Sequence, residues 1–180
     1  MKRAAVVRWV WLAAVLAACA EGRTVITVDV LSFLQAAGLD AIPFEIPGGV
    51  AQTDLTVARL FSMPSGYGSS RMDSLEVTAG AILKNTQGGG SVALDVFFAK
   101  DEAGLFVGEP FVSTHASVSG AQTDTLLAPT KRSVDAAVFS TPDVWVGVRA
   151  RFATDSGPEM VGRLALTVLR LRAVMHQQIF

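Results

Sequence analysis

Histidine is the side chain most often used for proton transfer near neutral pH, and this sequence has two, His115 and His176. His115 lies between hydroxyl residues in the segment 113–117, and His176 lies near the end of the chain. A hydrolytic triad needs a nucleophile, a base and a group that orients the base, and no serine has Gly-x-Ser-x-Gly surroundings. We therefore expect both histidines to be surface residues without a catalytic role.

Carboxylates are the other candidates for acid–base work. Asp101 and Glu102 are adjacent between two apolar runs, which is typical of a solvated turn. Asp95 lies inside an apolar run, where we expect it to face solvent rather than a polar site. Calcium-loop spacing, zinc-ligand clusters and a phosphate-loop lysine after Gly88–Gly90 are not found in the sequence. We expect no metal ion and no cofactor.

A tryptophan and several arginines form the one constellation that suggests a ligand surface. Alternation in the run Asp143–Ala153 places Trp145, Arg149 and Arg151 on one face. Arg163, in the next run, is expected near them across a hairpin. A tryptophan can stack on a sugar ring, and guanidinium groups bind anions through paired hydrogen bonds. The alternative, which we favour, is an exterior face that acidic neighbours neutralise and solvent covers.

These residues must be positioned by β-strands, because apolar residues recur at two-residue spacing through most of the chain. Seven runs share this alternation: Thr24–Val30, Leu55–Phe61, Ser74–Asn85, Ser91–Lys100, Leu105–Thr114, Asp143–Ala153 and Val161–Met175. In the last run the apolar positions change faces near Val168, which predicts a bulge.

Turn residues separate these runs. The segments Asn85–Gly90 and Asp155–Pro158 each predict a hairpin, and Ser119–Pro129 reads as a loop or short edge strand. Two short helices are expected, one capped by Ser32 and ended by Gly38, the other at Ser133–Phe139.

The fold class that follows is all-β: an antiparallel β-sandwich of about seven or eight strands with one or two short helices. A small closed β-barrel is the alternative, because alternation alone does not separate the two. The predicted core consists of Ile26, Val28, Val30, Val77, Val92, Leu94, Val96, Phe98, Val144, Val146, Val148, Phe152, Leu164 and Leu166.

Composition limits the function classes. The 180 residues fit one domain, and 51% of them are hydrophobic, which argues against disorder. Fifteen Lys and Arg against 16 Asp and Glu give a net charge of −1, so we expect no nucleic-acid partner. The single cysteine excludes an intrachain disulfide.

The N-terminus has the features of a secretory signal. The segment Met1–Arg8 is basic, and Trp9–Ala18 is an uncharged apolar run. As a helix that run would be about 15 Å long, half of what a bilayer core requires. The residues that follow, Leu16-Ala17-Ala18-Cys19, resemble the lipobox of bacterial lipoproteins.

The resemblance implies cleavage between Ala18 and Cys19, a diacylglyceryl group on the Cys19 sulfur and usually an acylated N-terminus. It implies a signal peptide at 1–18 and a lipidated N-terminus with a short tether at 19–23; the alternation pattern predicts one sandwich domain in the remainder, 24–180. The protein is then expected on a membrane of the bacterial cell envelope, the outer membrane being favoured where there is one.

We expect a non-catalytic binding or structural module, held at the membrane by its lipid, whose partner is an envelope protein or a polysaccharide. One alternative is a lipid-anchored hydrolase using groups such as Asp95 or His115, which only the fold would bring together. Another is a lipocalin-like carrier of a hydrophobic ligand.

Overall fold

The computed structural model describes residues 21–62, 71–128, 130–133, 138 and 143–178. These residues form β1 (Glu21–Asp29), α1 (Val30–Ala36), β2 (Ala41–Ile46), β3 (Thr53–Ser62), β4 (Arg71–Gln87), β5 (Gly89–Ala99), β6 (Val112–Ser119), β7 (Gln122–Leu127), β8 (Lys131–Ser133), β9 (Asp143–Thr154) and β10 (Met160–Gln178). The predicted all-β class is confirmed.

Two antiparallel sheets make the layers of the sandwich. In sheet I, β10 pairs with β4; β1 and β2 share the outer edge of β10, and β7 and β8 share the outer edge of β4. Sheet II has the order β3-β9-β5-β6. Each layer is therefore four strands wide, and the described strands form two separate sheets rather than one closed barrel.

Both predicted hairpins are wrong. The turns at Asn85–Gly90 and Asp155–Pro158 exist, but each joins a strand of one sheet to a strand of the other. Gly88, with φ of 73°, makes the first turn, and a Cβ there would overlap the backbone of Glu159 beside the second. Turn residues permit a reversal, but they do not determine which sheet the next strand joins.

The inner faces of the two sheets form the core. The predicted core residues are buried, except that Ile26, Val28 and Phe98 are partly buried and pack against the others. Val30 is the first residue of α1 rather than part of a strand, and it is 2% exposed. The predicted bulge is confirmed, because the register of β10 on β4 shifts between Leu166 and Val168.

Some element boundaries differ from expectation. The strand expected at Leu105–Thr114 begins only at Val112, because the preceding residues form a loop across sheet II. Helix α1 begins at Val30, and the Ser32 hydroxyl donates to the carbonyl of Asp29 instead of capping the helix. Most of the helix expected at Ser133–Phe139 lies outside the described residues.

The proposed anchor also lies outside the described residues, since these begin after Ala18 and Cys19. Among the residues that the structure does describe, no helix is both long and apolar enough to cross a bilayer.

Candidate functional site

Asp95 is buried, so the expectation that it faces solvent is wrong. It points to the outer face of sheet II, where its register partners are Arg149 on β9 and Ser113 on β6. Because β5 lies between those strands, Arg149, Arg151 and Ser113 surround the carboxylate, and its exposed fraction is 0%. A carboxylate removed from water requires charged or hydrogen-bonding partners, and the adjacent strands supply them.

Two arginines and a serine hold this carboxylate. Arg149 donates from Nε and Nη2 to Oδ2 of Asp95 at 3.2 and 3.1 Å. Arg151 donates from Nη2 to Oδ1 at 3.2 Å, and the Ser113 hydroxyl donates to the same oxygen at 2.6 Å. The Nε of Arg151 lies 2.8 Å from Oδ2 without a hydrogen-bonding angle, so that contact is an ion pair alone. We call these four residues the Asp95 network.

The two guanidinium groups are neutralised unequally. Arg149 also lies 3.9 Å from a second carboxylate, Asp54, and 4.5 Å from the centre of the Phe97 ring. Its side chain is only 17% exposed, whereas that of Arg151 is 36% exposed. Among the described residues, Arg151 pairs with Asp95 alone. Asp54 is also the register partner of Arg151 on β3, so the two arginines and the two carboxylates have no net charge, and what distinguishes Arg151 is its greater exposure to solvent.

A groove of about 330 Å³ adjoins this exposed side of Arg151. Ala93 forms part of its floor, and the register places Arg151 on one side of Ala93 and His115 on the other. Ser91, Ser113 and Gln52 add hydroxyl and amide groups to the lining. Ala93 is small, and the longer side chains of Arg151 and His115 on either side of it lie two strand spacings apart, at about 4.8 Å per spacing. This leaves room for a ligand above Ala93.

Trp145 lies on the same face as the arginines, as expected, but it belongs to a separate surface. It is half-buried against the cluster of Phe97, Ala99 and Leu105, and it lines a groove of about 310 Å³ with Leu60. Trp145 and Arg151 are six positions apart along β9, which corresponds to about 20 Å.

The loop between β5 and β6 covers the strand between these two surfaces. Leu105 and Phe106 lie over Gly147, where even a Cβ would come within 2.7 Å of the Phe106 ring. The expected single surface of tryptophan and arginines is therefore divided in two.

Arg163 is not near Arg149 and Arg151, and the expectation that it joins them is wrong. It lies on β10 in sheet I, exposed, with Pro43 on one neighbouring strand and Lys84 on the other. The error follows from the turn after β9, which leads into the opposite sheet.

The other candidate groups do not converge on a catalytic arrangement. Asp101 accepts the backbone N–H of Gly104 at 2.8 Å, as expected of a turn residue. His115 is exposed in sheet II, and the backbone of His176 pairs within sheet I. The described residues contain no group of three His, Cys, Asp or Glu side chains that could hold a metal ion.

Comparison with known proteins gives no family. No family model matches the sequence, and no curated protein matches it. The structure of the infectious bursal disease virus Gt strain matches with a TM-score of 0.48 and 9% identity, over 88% of this chain and 38% of that chain. TmCBM61 in complex with β-1,4-galactotriose matches with a TM-score of 0.36 and 11% identity, over 85% of this chain and 88% of that chain.

A third similar structure is dimeric latent PorU from Porphyromonas gingivalis, with a TM-score of 0.34 and 10% identity, over 88% of this chain and 13% of that chain. This chain thus spans little more than a third of the viral protein and a small part of PorU. At these TM-scores and identities, the likenesses carry no argument about function.

Proposed function

We propose that this chain is a lipid-anchored protein of the bacterial cell envelope, and that its sandwich is a non-catalytic binding or structural module. The anchor is Cys19, at the end of the lipobox-like Leu16-Ala17-Ala18-Cys19. One acyl chain binds a membrane marginally, whereas two or three hold it firmly, because each buried CH₂ contributes about 0.8 kcal/mol. The lipid would hold the domain close to the membrane, since Ala20 alone separates Cys19 from the start of β1 at Glu21.

The observation that carries the non-catalytic assignment is the Asp95 network. Both oxygens of Asp95 are occupied by guanidinium groups and by the Ser113 hydroxyl. A general base needs a lone pair within reach of substrate, which a carboxylate with 0% exposure does not offer. Asp95 therefore supports a structural role for the network, which fixes the arginine side chains of an exterior surface.

Neither the hydrolase nor the carrier of hydrophobic ligands has structural support comparable to that for the binding or structural module. A hydrolase using His115 needs a partner that orients the imidazole, and the groove beside His115 is lined by hydroxyl, amide and guanidinium groups instead. A carrier of hydrophobic ligands needs an apolar cavity between the sheets, whereas the inner faces are filled by buried side chains of both sheets.

Mass spectrometry of the mature N-terminus tests the anchor. We expect the mature chain to begin at an acylated Cys19 and to partition into detergent. Cys19→Ser should abolish both lipid attachment and cleavage before residue 19. An unmodified Cys19, or a mature chain that begins elsewhere, would contradict the assignment.

Affinity purification of the detergent-extracted protein tests the module. We expect an envelope protein or polysaccharide to be retained, and the purified protein to hydrolyse no ester, peptide or glycoside substrate. A hydrolytic activity that His115→Ala abolishes would make the hydrolase the better interpretation.

A further inference from the structure

We infer that the groove beside Arg151 binds a carboxylated sugar, a single uronic acid unit of a polysaccharide. This inference rests on the proposed binding function and names its ligand class. The groove is the one of about 330 Å³ that Ala93, Arg151 and His115 line on the outer face of sheet II.

The carboxylate of the ligand would bind at Arg151. Asp95 holds this guanidinium through Nη2 and Nε, so the group is fixed in position before a ligand arrives. Its side chain is 36% exposed, and among the described residues its one ion pair is with Asp95, which Arg149 shares; Asp54, opposite Arg151 on β3, pairs with Arg149. A fixed and partly exposed guanidinium favours a carboxylate, because charge-assisted hydrogen bonds are about twice as strong as neutral ones.

The rest of the lining suits hydroxyl groups. His115 lies across Ala93 from Arg151, and Ser91 precedes Ala93 on the same face of β5. The Gln52 amide donates to Asp54 at 3.2 Å, which leaves its oxygen as an acceptor. An imidazole, a hydroxyl and an amide oxygen around a small floor offer both donors and acceptors, as the hydroxyls of a sugar ring require.

Size limits the ligand to one unit. Binding pockets for small molecules usually measure about 300–1,000 Å³, and this groove is at the lower end of that range. The row Arg151–Ala93–His115 spans two strand spacings, about 10 Å, which accommodates one pyranose ring with its carboxylate at one side. The groove is open to solvent, so the unit can belong to a longer chain.

Ligand-observed NMR on the detergent-extracted full chain tests the inference with three probes at matched ionic strength: glucuronate, glucose and acetate. We expect glucuronate to bind about tenfold more tightly than either of the others, because only glucuronate uses both Arg151 and the hydroxyl-binding side chains. Equal affinity for glucose, or equal affinity for acetate, would overturn the inference. An acidic tripeptide that binds more tightly than glucuronate would also overturn it, in favour of a protein ligand.

Two variants locate the binding. Arg151→Gln should weaken glucuronate binding about tenfold and leave weak glucose binding unchanged, since it removes only the charge-assisted contact. Ala93→Phe should abolish glucuronate binding by filling the groove between Arg151 and His115, and its thermal melting would show that the domain remains folded. Arg163→Gln, in sheet I, is the matched control and should bind like the unchanged protein.

Retained binding in Ala93→Phe would place the ligand elsewhere and overturn the inference. A chain that is acylated at Cys19 and retains an envelope partner, but does not bind glucuronate, would overturn this inference alone and leave the proposed function standing.

Discussion

Both outer faces of the sandwich carry exposed or partly exposed arginines, but their surroundings differ. In sheet I, Arg163 lies directly opposite Lys84, and within the described residues neither cation has a carboxylate within 4.0 Å. In sheet II, Arg149 and Arg151 converge on the buried Asp95. Arg163 is thus a solvated cation, although Arg172 on the same face pairs with Glu76, whereas both arginines of sheet II are held by one buried carboxylate.

The difference lies in the neighbouring strand. Strand β5 supplies a carboxylate in register with Arg149 and two residue pairs from Arg151, whereas β4 supplies Lys84 in register with Arg163. An ion pair orders two long side chains only when their electrostatic attraction exceeds the free-energy cost of the side-chain entropy that is lost. Shielding from solvent strengthens that attraction. A sequence motif of arginines therefore acquires a structural role from the strand beside it.

Coverage by the β5–β6 loop is a second difference. Leu105 of this loop is 1% exposed and closes a small apolar cluster over sheet II. In sheet I, Ile82 and Leu127 are 40% and 63% exposed, and no loop among the described residues covers them. The loop and the Asp95 network thus bury side chains on part of the outer face of sheet II.

Removal of the carboxylate should give the largest effect. We expect Asp95→Ala to lower the free energy of unfolding by about 3 kcal/mol, because two guanidinium groups then repel each other under partial burial. Both arginines reach solvent, so we expect the lower end of the range measured for broken buried pairs. Urea unfolding measures the change.

Arg163→Gln is the control for that measurement and should change stability by less than about 0.5 kcal/mol. Equal losses in the two variants would show that the two faces are energetically alike and would remove the distinction drawn between them.

The strands, the core and the bulge near Val168 could be predicted from the sequence, because alternation and turn residues are local signals. The pairing of strands could not. Which strand lies beside β9 depends on whether each turn continues a sheet or crosses to the other, and this is decided by packing of the whole sandwich. For this reason the alternation pattern alone places Arg163 on the wrong sheet.

The burial of Asp95 had a partial signal in the sequence. A lone carboxylate inside an apolar run, together with two arginines two residues apart in another run, fits an ion-pair network if those runs are neighbours. The sequence does not show that β5 pairs with β9, and for an aspartate in a strand a solvent-facing position is the more common arrangement. The loop over Gly147 had no such signal, since Leu105 and Phe106 read as the start of a strand.

A methyl group placed on each outer face should distinguish the covered sheet from the open one. At Gly147, a Cβ would come within 2.7–2.9 Å of Phe106 and Leu105, so the loop must shift. At Gly80, in sheet I, the nearest atoms lie at 3.1–3.2 Å, and two of them belong to side chains at the surface. We expect Gly147→Ala to cost about 1–2 kcal/mol through strain in the packed cluster.

Gly80→Ala should stay within about 0.5 kcal/mol of the unchanged protein, because reduced freedom of the unfolded chain offsets the tight contact. Thermal unfolding of both variants measures the difference. A tolerated Gly147→Ala would indicate that the loop does not rest on sheet II in solution.

The smallest effect should come from reversing one charge in sheet I. Lys84 and Arg163 are directly opposite on β4 and β10, and like charges in that position destabilise an antiparallel pair. Lys84→Glu converts the repulsion into attraction, so we expect the free energy of unfolding to rise by about 0.5 kcal/mol. The gain should disappear near 1 M salt, where the Debye length falls to about 3 Å, since both side chains are exposed.

Combining Lys84→Glu with Arg163→Gln should remove the gain at low salt as well, because no cation is left opposite the new carboxylate. Chemical unfolding at low and high salt measures all three proteins, and a gain that persists in the double variant would mean that Lys84 and Arg163 do not interact.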